Sequence, residues 1–274
     1  MSDLLQALTH ASDAAYEALN ALSGRSWAFD MLVSLPMDNP LVKAGPVGAC
    51  FAYAWFATGD ADAMQRRRRI LIATLFSLFA VIVTTKSLSG EILQPRPFVL
   101  SQPAYVLEGS QLVRADRLEY RSPLAGENRD RFERLEQGET IQNDLGSFPS
   151  DHAGFYVAMA LGIFLACRLA GLIALGWTLF VILLSRIVTG MHSPLDIVAG
   201  AGLGVAALLA GQLVFARWLR RFTGWIAELS FRYQGLAAAL LFLVLFEATS
   251  TLVNTQDLLE FAKDMAVGMK ERWA

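Results

Sequence analysis

Six apolar stretches, each long enough to cross a bilayer or nearly so, dominate this 274-residue chain. They cover approximately residues 42–59, 70–94, 152–168, 170–190, 195–216 and 234–253. Crossing about 30 Å of hydrocarbon takes about 20 helical residues. A backbone in lipid must satisfy its own hydrogen bonds, which leaves helices as the way for such stretches to span. The composition agrees: 54% of residues are hydrophobic, 18% are charged, and the mean hydropathy is +0.41. A soluble domain is closer to a quarter charged. The expectation is one all-α integral membrane domain over 1–274, a six-helix bundle with its core at 42–253.

Basic residues set the orientation. Arg66, Arg67, Arg68 and Arg69 precede the second stretch, Arg168 separates the third from the fourth, and Arg217, Arg220 and Arg221 follow the fifth. With six alternating spans these loops share one side, and positive loops stay cytoplasmic. The segment 95–151, the turn at 190–195 and both termini then lie outside, in the periplasm or beyond. This suits a bacterial inner (plasma) membrane. The first residues lack the basic region and apolar core of a cleavable signal peptide, so insertion is expected to rely on the spans.

Two further stripes have helical period with charges opposite, as in interfacial helices. One is Leu4, Leu8, Ala11, Ala15, Leu19 and Leu22; the other is Leu258, Leu259, Ala262, Met265, Ala266 and Met269. Between Pro97 and Asp151 the chain carries nine acidic residues and six arginines. That segment is too polar for a core of its own and reads as an extracytoplasmic cap loop, part helix near 126–137. A net charge of −2 and the absence of a basic patch with interleaved aromatics give no indication of nucleic acid. Cys50 and Cys167 read as small apolar residues, and no metal-ligand spacing of cysteines or histidines occurs.

Polar clusters interrupt the outer ends of these spans, and ionisable groups there are expensive enough to suggest function. One is Phe148-Pro149-Ser150-Asp151-His152; another is Ser185-Arg186 followed by His192-Ser193-Pro194-Leu195-Asp196; a third is Gln94-Pro95-Arg96-Pro97-Phe98. Ser150 is placed to cap the third span, and a helix start of this kind offers N–H groups to a phosphate. Asp196 stands where a capping-box acid would. One turn from His192, it is equally placed to hold the ring and free its other nitrogen for attack. Arg186 needs an anion, either a structural carboxylate or a phosphate matching its planar fork. Arg96 is presented by the two prolines that stop the second span. Two histidines, arginines and a carboxylate can hold a phosphate and break it off through a histidine nucleophile. Glu91 and Glu247 also fall inside expected spans.

Together these residues resemble the type-2 phosphatidic acid phosphatase superfamily of membrane lipid-phosphate phosphatases. Its three-part signature is a lysine, six residues, then Arg-Pro; Pro-Ser-Gly-His; and Ser-Arg, five residues, His, three residues, Asp. The third part matches in full from Ser185 to Asp196. The second matches at Pro149, Ser150 and His152, with Asp151 in the glycine position, as in bacterial members that act on polyprenyl pyrophosphates. The first matches only at Arg96-Pro97, because Ser89 holds the lysine position and Lys86 lies one turn deeper.

The resemblance implies that His192 is the nucleophile, oriented by Asp196, and that His152 is the acid. Arg96, Arg186 and Ser150 would bind phosphoryl oxygens, with Asp151 and a snorkelling Lys86 as further substrate contacts. It implies no cofactor and no metal, since arginines supply the positive charge. The substrate would be a lipid phosphate or pyrophosphate: undecaprenyl pyrophosphate first, then phosphatidylglycerol phosphate or phosphatidic acid. Competing readings are a lipid-to-lipid phosphotransferase, a catalytically dead lipid-binding relative, and a transporter. Transporter sites sit near the midplane between repeats, whereas these clusters gather at one face.

Overall fold

A computed structural model describes residues 2–103, 105–108, 111–114 and 116–249. The stripe at 258–269 lies outside the described residues. The rest is helical apart from a short antiparallel hairpin of β1 (Tyr105–Glu108) and β2 (Gln111–Arg114). Helix α1 spans Ser2–Asn20, α2 Trp27–Asp38, α3 Pro40–Phe56, α4 Ala61–Ile92, α5 Glu127–Glu136 and α6 Asp151–Ala166. Helices α7 (Arg168–Trp177) and α8 (Leu184–Val188) flank a π-helical stretch, Thr178–Leu183, in one 21-residue rod. Helices α9 (Pro194–Arg217), α10 (Arg220–Arg232) and α11 (Gln234–Thr249) complete the described residues.

Among the described residues three helices are long and apolar enough to cross a membrane: α4, the Arg168–Val188 rod and α9. A fourth crossing arises if α10 and α11, bent by 115°, act as one broken span. Helices of this length and hydropathy are compatible with an integral membrane protein. Helices α3 and α6, with 17 and 16 residues, are shorter than a standard span.

Local sequence explains the helix starts. Asn39 caps α3 by accepting from the Leu41 and Val42 N–H groups, with Pro40 in the first turn. Asp60 caps α4 at the Ala63 N–H, 2.7 Å away. Helix α4 stops where Leu93 adopts φ 49° and the Pro95-Arg96-Pro97 run begins. Helix α2 has no counterpart in the periodicity reading. Its pattern is broken by Pro36, and polar Asp30 and Ser34 occupy its buried face, so it carries no apolar stripe.

The centre of the bundle is a three-helix packing of α4, α6 and α9. Here α6 and α9 touch backbone to backbone. A Cβ at Gly200 would lie 2.1 Å from the Ser150 carbonyl oxygen, and one at Gly204 would lie 2.2 Å from the Gly154 oxygen. Only hydrogen at these positions lets the helices meet, as in membrane helix packing generally. The contact draws the first turn of α6 against the first turns of α9, and the Ser150 N–H donates to the Asp196 carbonyl at 3.1 Å.

Helix α1 keeps its apolar stripe outward: Leu4, Leu8 and Leu22 are exposed. Its opposite face docks on the bundle through Ser12, Tyr16 and Asn20, all buried. Asn20 donates to the Val188 carbonyl at 2.9 Å, and the Ser12 hydroxyl accepts from the Leu195 N–H at 3.1 Å. Helices α1 and α2 also hold the strap leading into α5. Asn20 Oδ1 accepts from the Arg121 N–H at 2.7 Å, and Asp30 accepts from the Gly24 and Leu124 N–H groups. The cap is pinned by a small apolar cluster of Phe98, Val99, Leu135 and Met191, with Tyr120, Phe132 and Met37 packed against it. Only Leu135 and Phe132 of that cluster belong to the cap's own helix, which resolves how so polar a segment stays docked.

The close α6–α9 contact predicts a sharp difference between neighbouring glycines. Gly204→Val should destabilise the protein by about 1–3 kcal/mol through overpacking. Gly202→Val, where an added Cβ meets nothing within 4 Å, should leave it unchanged. Thermal unfolding midpoints in detergent measure both.

Candidate active site

His192 follows a turn built for it. Gly190 has φ +77°, and a Cβ there would meet the Tyr120 ring at 2.5 Å. Behind that turn the His192 and Met191 N–H groups both donate to the Arg186 carbonyl, at 3.1 and 2.9 Å. The imidazole is buried, and its Nδ1 lies 2.9 Å from the Ser147 carbonyl oxygen. A carbonyl only accepts, so Nδ1 carries the proton and Nε2 keeps its lone pair. Nε2 is buried without a hydrogen-bond partner among the described residues.

Asp196 stands 3.9 Å from His192 Nδ1, beyond hydrogen-bonding distance. Its Oδ2 instead accepts from the Ser147 hydroxyl at 2.7 Å and from the Ser193 N–H at 2.7 Å, while Ser193 Oγ accepts from the Asp196 N–H at 3.2 Å. The capping-box reading of Asp196 therefore describes its contacts. Its hold on His192 passes through Ser147, whose hydroxyl it anchors and whose carbonyl meets the ring. Ser147 lies outside the three signature segments, and an unremarkable serine before Phe148-Pro149 carries no sequence signal of this role.

His152 has its own carboxylate. Asp151 Oδ1 lies 2.6 Å from His152 Nδ1 and also accepts the His152 backbone N–H at 2.7 Å. Asp151, expected as a substrate contact, thus spends that oxygen on its neighbour and turns His152 Nε2 outward. Ser150 is buried and caps α6, accepting from the Ala153 N–H at 3.3 Å. The Tyr156 ring lies one turn on, 6.2 Å from the His152 ring, with its hydroxyl buried and without a partner among the described residues.

The two arginines differ. Arg96 is stapled to protein: Nε donates to the Asn143 carbonyl at 2.7 Å, one Nη to Asn143 Oδ1 at 2.9 Å, and the other to the Met191 carbonyl at 3.1 Å. Three of its five N–H groups are spent joining the cap to the His192 turn. Arg186 is buried, and its Nε has no hydrogen-bond partner among the described residues. Its charge reaches Asp151, His152 and His192, so these four groups form one cluster.

Lys86 is exposed on α4, and Ser89 packs its hydroxyl against Gly146 of the cap. A different lysine is close: Lys43, half-buried in the first turns of α3, interacts electrostatically with Arg186, Asp151 and His152. It lies more than 100 residues before Asp151 and Arg186, so no local spacing reveals it. Glu91 is exposed at the end of α4. Cys50 and Cys167 are free and half-buried.

A buried histidine with a bare nitrogen, an acid–histidine pair and an unspent guanidinium define a site for phosphoryl chemistry on a helical membrane scaffold. The PAP2 superfamily model matches residues 68–221, which contain all three signature segments, and the chain belongs to that superfamily. Its members are phosphatases, which gives this chain a phosphatase-type function. No curated protein and no solved structure matches it.

Burial lowers the His192 pKa well below the usual imidazole value, and the Arg96 and Arg186 charges add to the effect. Both effects favour the neutral ring of His192. Removing a neighbouring positive charge raises its pKa, so protonation sets in at higher pH. In a profile of kcat/KM against pH, Arg186→Gln should move the acidic limb upward by up to about one unit.

Proposed function

We propose that the chain is an integral membrane phosphatase that hydrolyses a lipid pyrophosphate or phosphomonoester through a phosphohistidine on His192. The observation that carries this reading is the His192 ring itself, its Nδ1–H held by the Ser147 carbonyl at 2.9 Å and its Nε2 bare beside Arg186. Nε2 attacks the terminal phosphorus as its bond to the leaving oxygen breaks, the oxygen of the lipid alcohol in a phosphomonoester and of the lipid monophosphate in a pyrophosphate. His152 gives that oxygen a proton from Nε2, and Asp151, against Nδ1, stabilises the imidazolium form that makes the donation possible. The neutral His152 then takes a proton from water as the water attacks the phosphohistidine. Inorganic phosphate leaves, and both histidines return to their starting states.

Charge on the phosphoryl oxygens is met by Arg186, by the uncommitted N–H groups of Arg96 and by the first turn of α6 above Ser150. Lys43 takes the part of the lysine missing from position 89, giving the cluster a third cation from a separate helix. Undecaprenyl pyrophosphate is the first substrate, supported by Asp151 in the glycine position and by the added charge a second phosphate brings to three cations. Phosphatidylglycerol phosphate and phosphatidic acid follow. The same reading takes α3, α4, α6, the Arg168–Val188 rod, α9 and the α10–α11 pair as six crossings. The arginine-rich ends are then cytoplasmic, and the histidines face the periplasm or exterior under the cap.

Inorganic phosphate release from the three lipids, in detergent with EDTA present, tests the reading. Release should persist in the chelator and favour undecaprenyl pyrophosphate. It should fall by about 10⁴-fold or more in His192→Ala and by about 10²–10⁴-fold in His152→Ala. Loss of activity in EDTA, or its survival in His192→Ala, would overturn it.

The choice of lysine gives a separate outcome. Lys43→Met should cost at least about tenfold in kcat/KM, as for a lost charged hydrogen bond, while Lys86→Met should be silent. Adding Ser89→Lys to Lys43→Met should restore part of the loss.

A further inference from the structure

The four consecutive arginines that open α4 do not share one environment. Arg67 donates to the carbonyls of Ala57 and Thr58. Arg68 is buried, donating to Ser230 Oγ at 2.7 Å with its guanidinium 3.7 Å from the Phe231 ring centroid. Both donate through their Nη groups to protein acceptors, while the Nε of each is buried without a partner among the described residues. Arg66 and Arg69, three residues apart and so on one helix face, turn the other way. With Arg220 at the start of α10 they line a cleft of about 320 Å³ between α4, α9 and α10.

That cleft collects positive charge with no carboxylate among its lining residues. Arg69 is close enough to Arg220 to feel its repulsion, and Arg69 Nε is buried without a hydrogen-bond partner among the described residues. The other polar groups are already engaged. Gln212 donates to the Ile70 carbonyl at 3.1 Å and to Thr74 Oγ1 at 3.2 Å, and the Thr223 hydroxyl is spent on the Leu219 and Arg220 carbonyls. Three guanidiniums in one recess, left with N–H groups to donate, call for an anion with several oxygens.

The walls identify the kind of anion. Phe215 lines the cleft and stacks on Phe76 at 5.1 Å, which also meets Phe222 at 6.0 Å. From there exposed apolar side chains, Phe76, Phe79 and Leu213 among them, continue along the bundle's outer surface. A charged recess above an apolar track matches a headgroup with its acyl chains and gives a free ion no use for the lower half. Arg69 is 23 residues from the outer end of α4, about 35 Å at 1.5 Å per residue. The cleft is therefore remote from His192.

We propose that the cleft formed by Arg66, Arg69 and Arg220 binds the phosphate headgroup of an anionic phospholipid at the end of the bundle opposite the histidines. Basic pockets between spans bind such headgroups, and an arginine near an anionic bilayer surface contributes about 1 kcal/mol, or roughly fivefold in affinity.

Native mass spectrometry of the detergent-solubilised protein tests this with phosphatidylglycerol and phosphatidylcholine. A phosphatidylglycerol adduct should form in preference to phosphatidylcholine and persist in Arg186→Ala, which disables the catalytic cluster. It should weaken about 25-fold in Arg66→Gln/Arg69→Gln, about fivefold for each arginine, and survive in Arg66→Lys/Arg69→Lys. Should the double glutamine variant fail to fold, Arg220→Gln, altered at an exposed residue, should show the fivefold loss alone. An adduct that vanishes in Arg186→Ala, or that ignores the cleft substitutions, would overturn the proposal. So would displacement by millimolar inorganic phosphate, which would mark a free-anion site. Because the readout is binding, these results stand apart from whether the histidines hydrolyse lipid.

Discussion

Everything at the active end of this molecule depends on how closely two backbones approach. At Gly154, Gly200 and Gly204 helices α6 and α9 meet with no side chain between them. Their first turns are then near enough for the Ser150 N–H to reach the Asp196 carbonyl. Each first turn carries one half of the chemistry: the Asp151–His152 pair on α6, and Asp196 on α9 directly after the His192 turn. A methyl group at Gly200 would separate them. Dispersion over a long, tight contact is what membrane helices have in place of a hydrophobic drive toward one another.

The cluster treats its two histidines differently by hydrogen bonding. His152 faces a carboxylate directly at 2.6 Å, which holds Nδ1 and fixes the orientation of the ring. His192 faces a neutral carbonyl at 2.9 Å, with the nearest carboxylate oxygen at 3.9 Å, and lies beside arginine charge. That arrangement favours a neutral ring with one bare nitrogen. Inserting Ser147 between Asp196 and His192 keeps the carboxylate's anchoring effect while withholding its full charge from the imidazole.

Arginine placement follows the same economy along the whole bundle. Arg68 and Arg96 are buried with protein acceptors, and they hold α10 and the cap in place. Arg186 and Arg69 each keep a buried Nε without a hydrogen-bond partner among the described residues, at opposite ends of the molecule.

Much of this was legible in the linear chain. Apolar stretches near span length predict membrane helices, and Ser150, Ser193, Asn39 and Asp60 mark helix starts, because hydropathy and capping are local properties. His152, Arg186, His192 and Asp196 are legible because each sits at a fixed spacing within one turn and the helices beside it. What the sequence could not reveal is set by contacts between distant segments. Ser147 meets His192 across 45 residues, and Lys43 reaches Arg186 from a helix that precedes every signature segment. Arg66 and Arg69 part from Arg67 and Arg68 only once α9 and α10 have packed on α4. Spacing along a helix determines which side chains share a face; packing between helices decides what that face meets, and for this chain it assigned the partners of every charged group in the site.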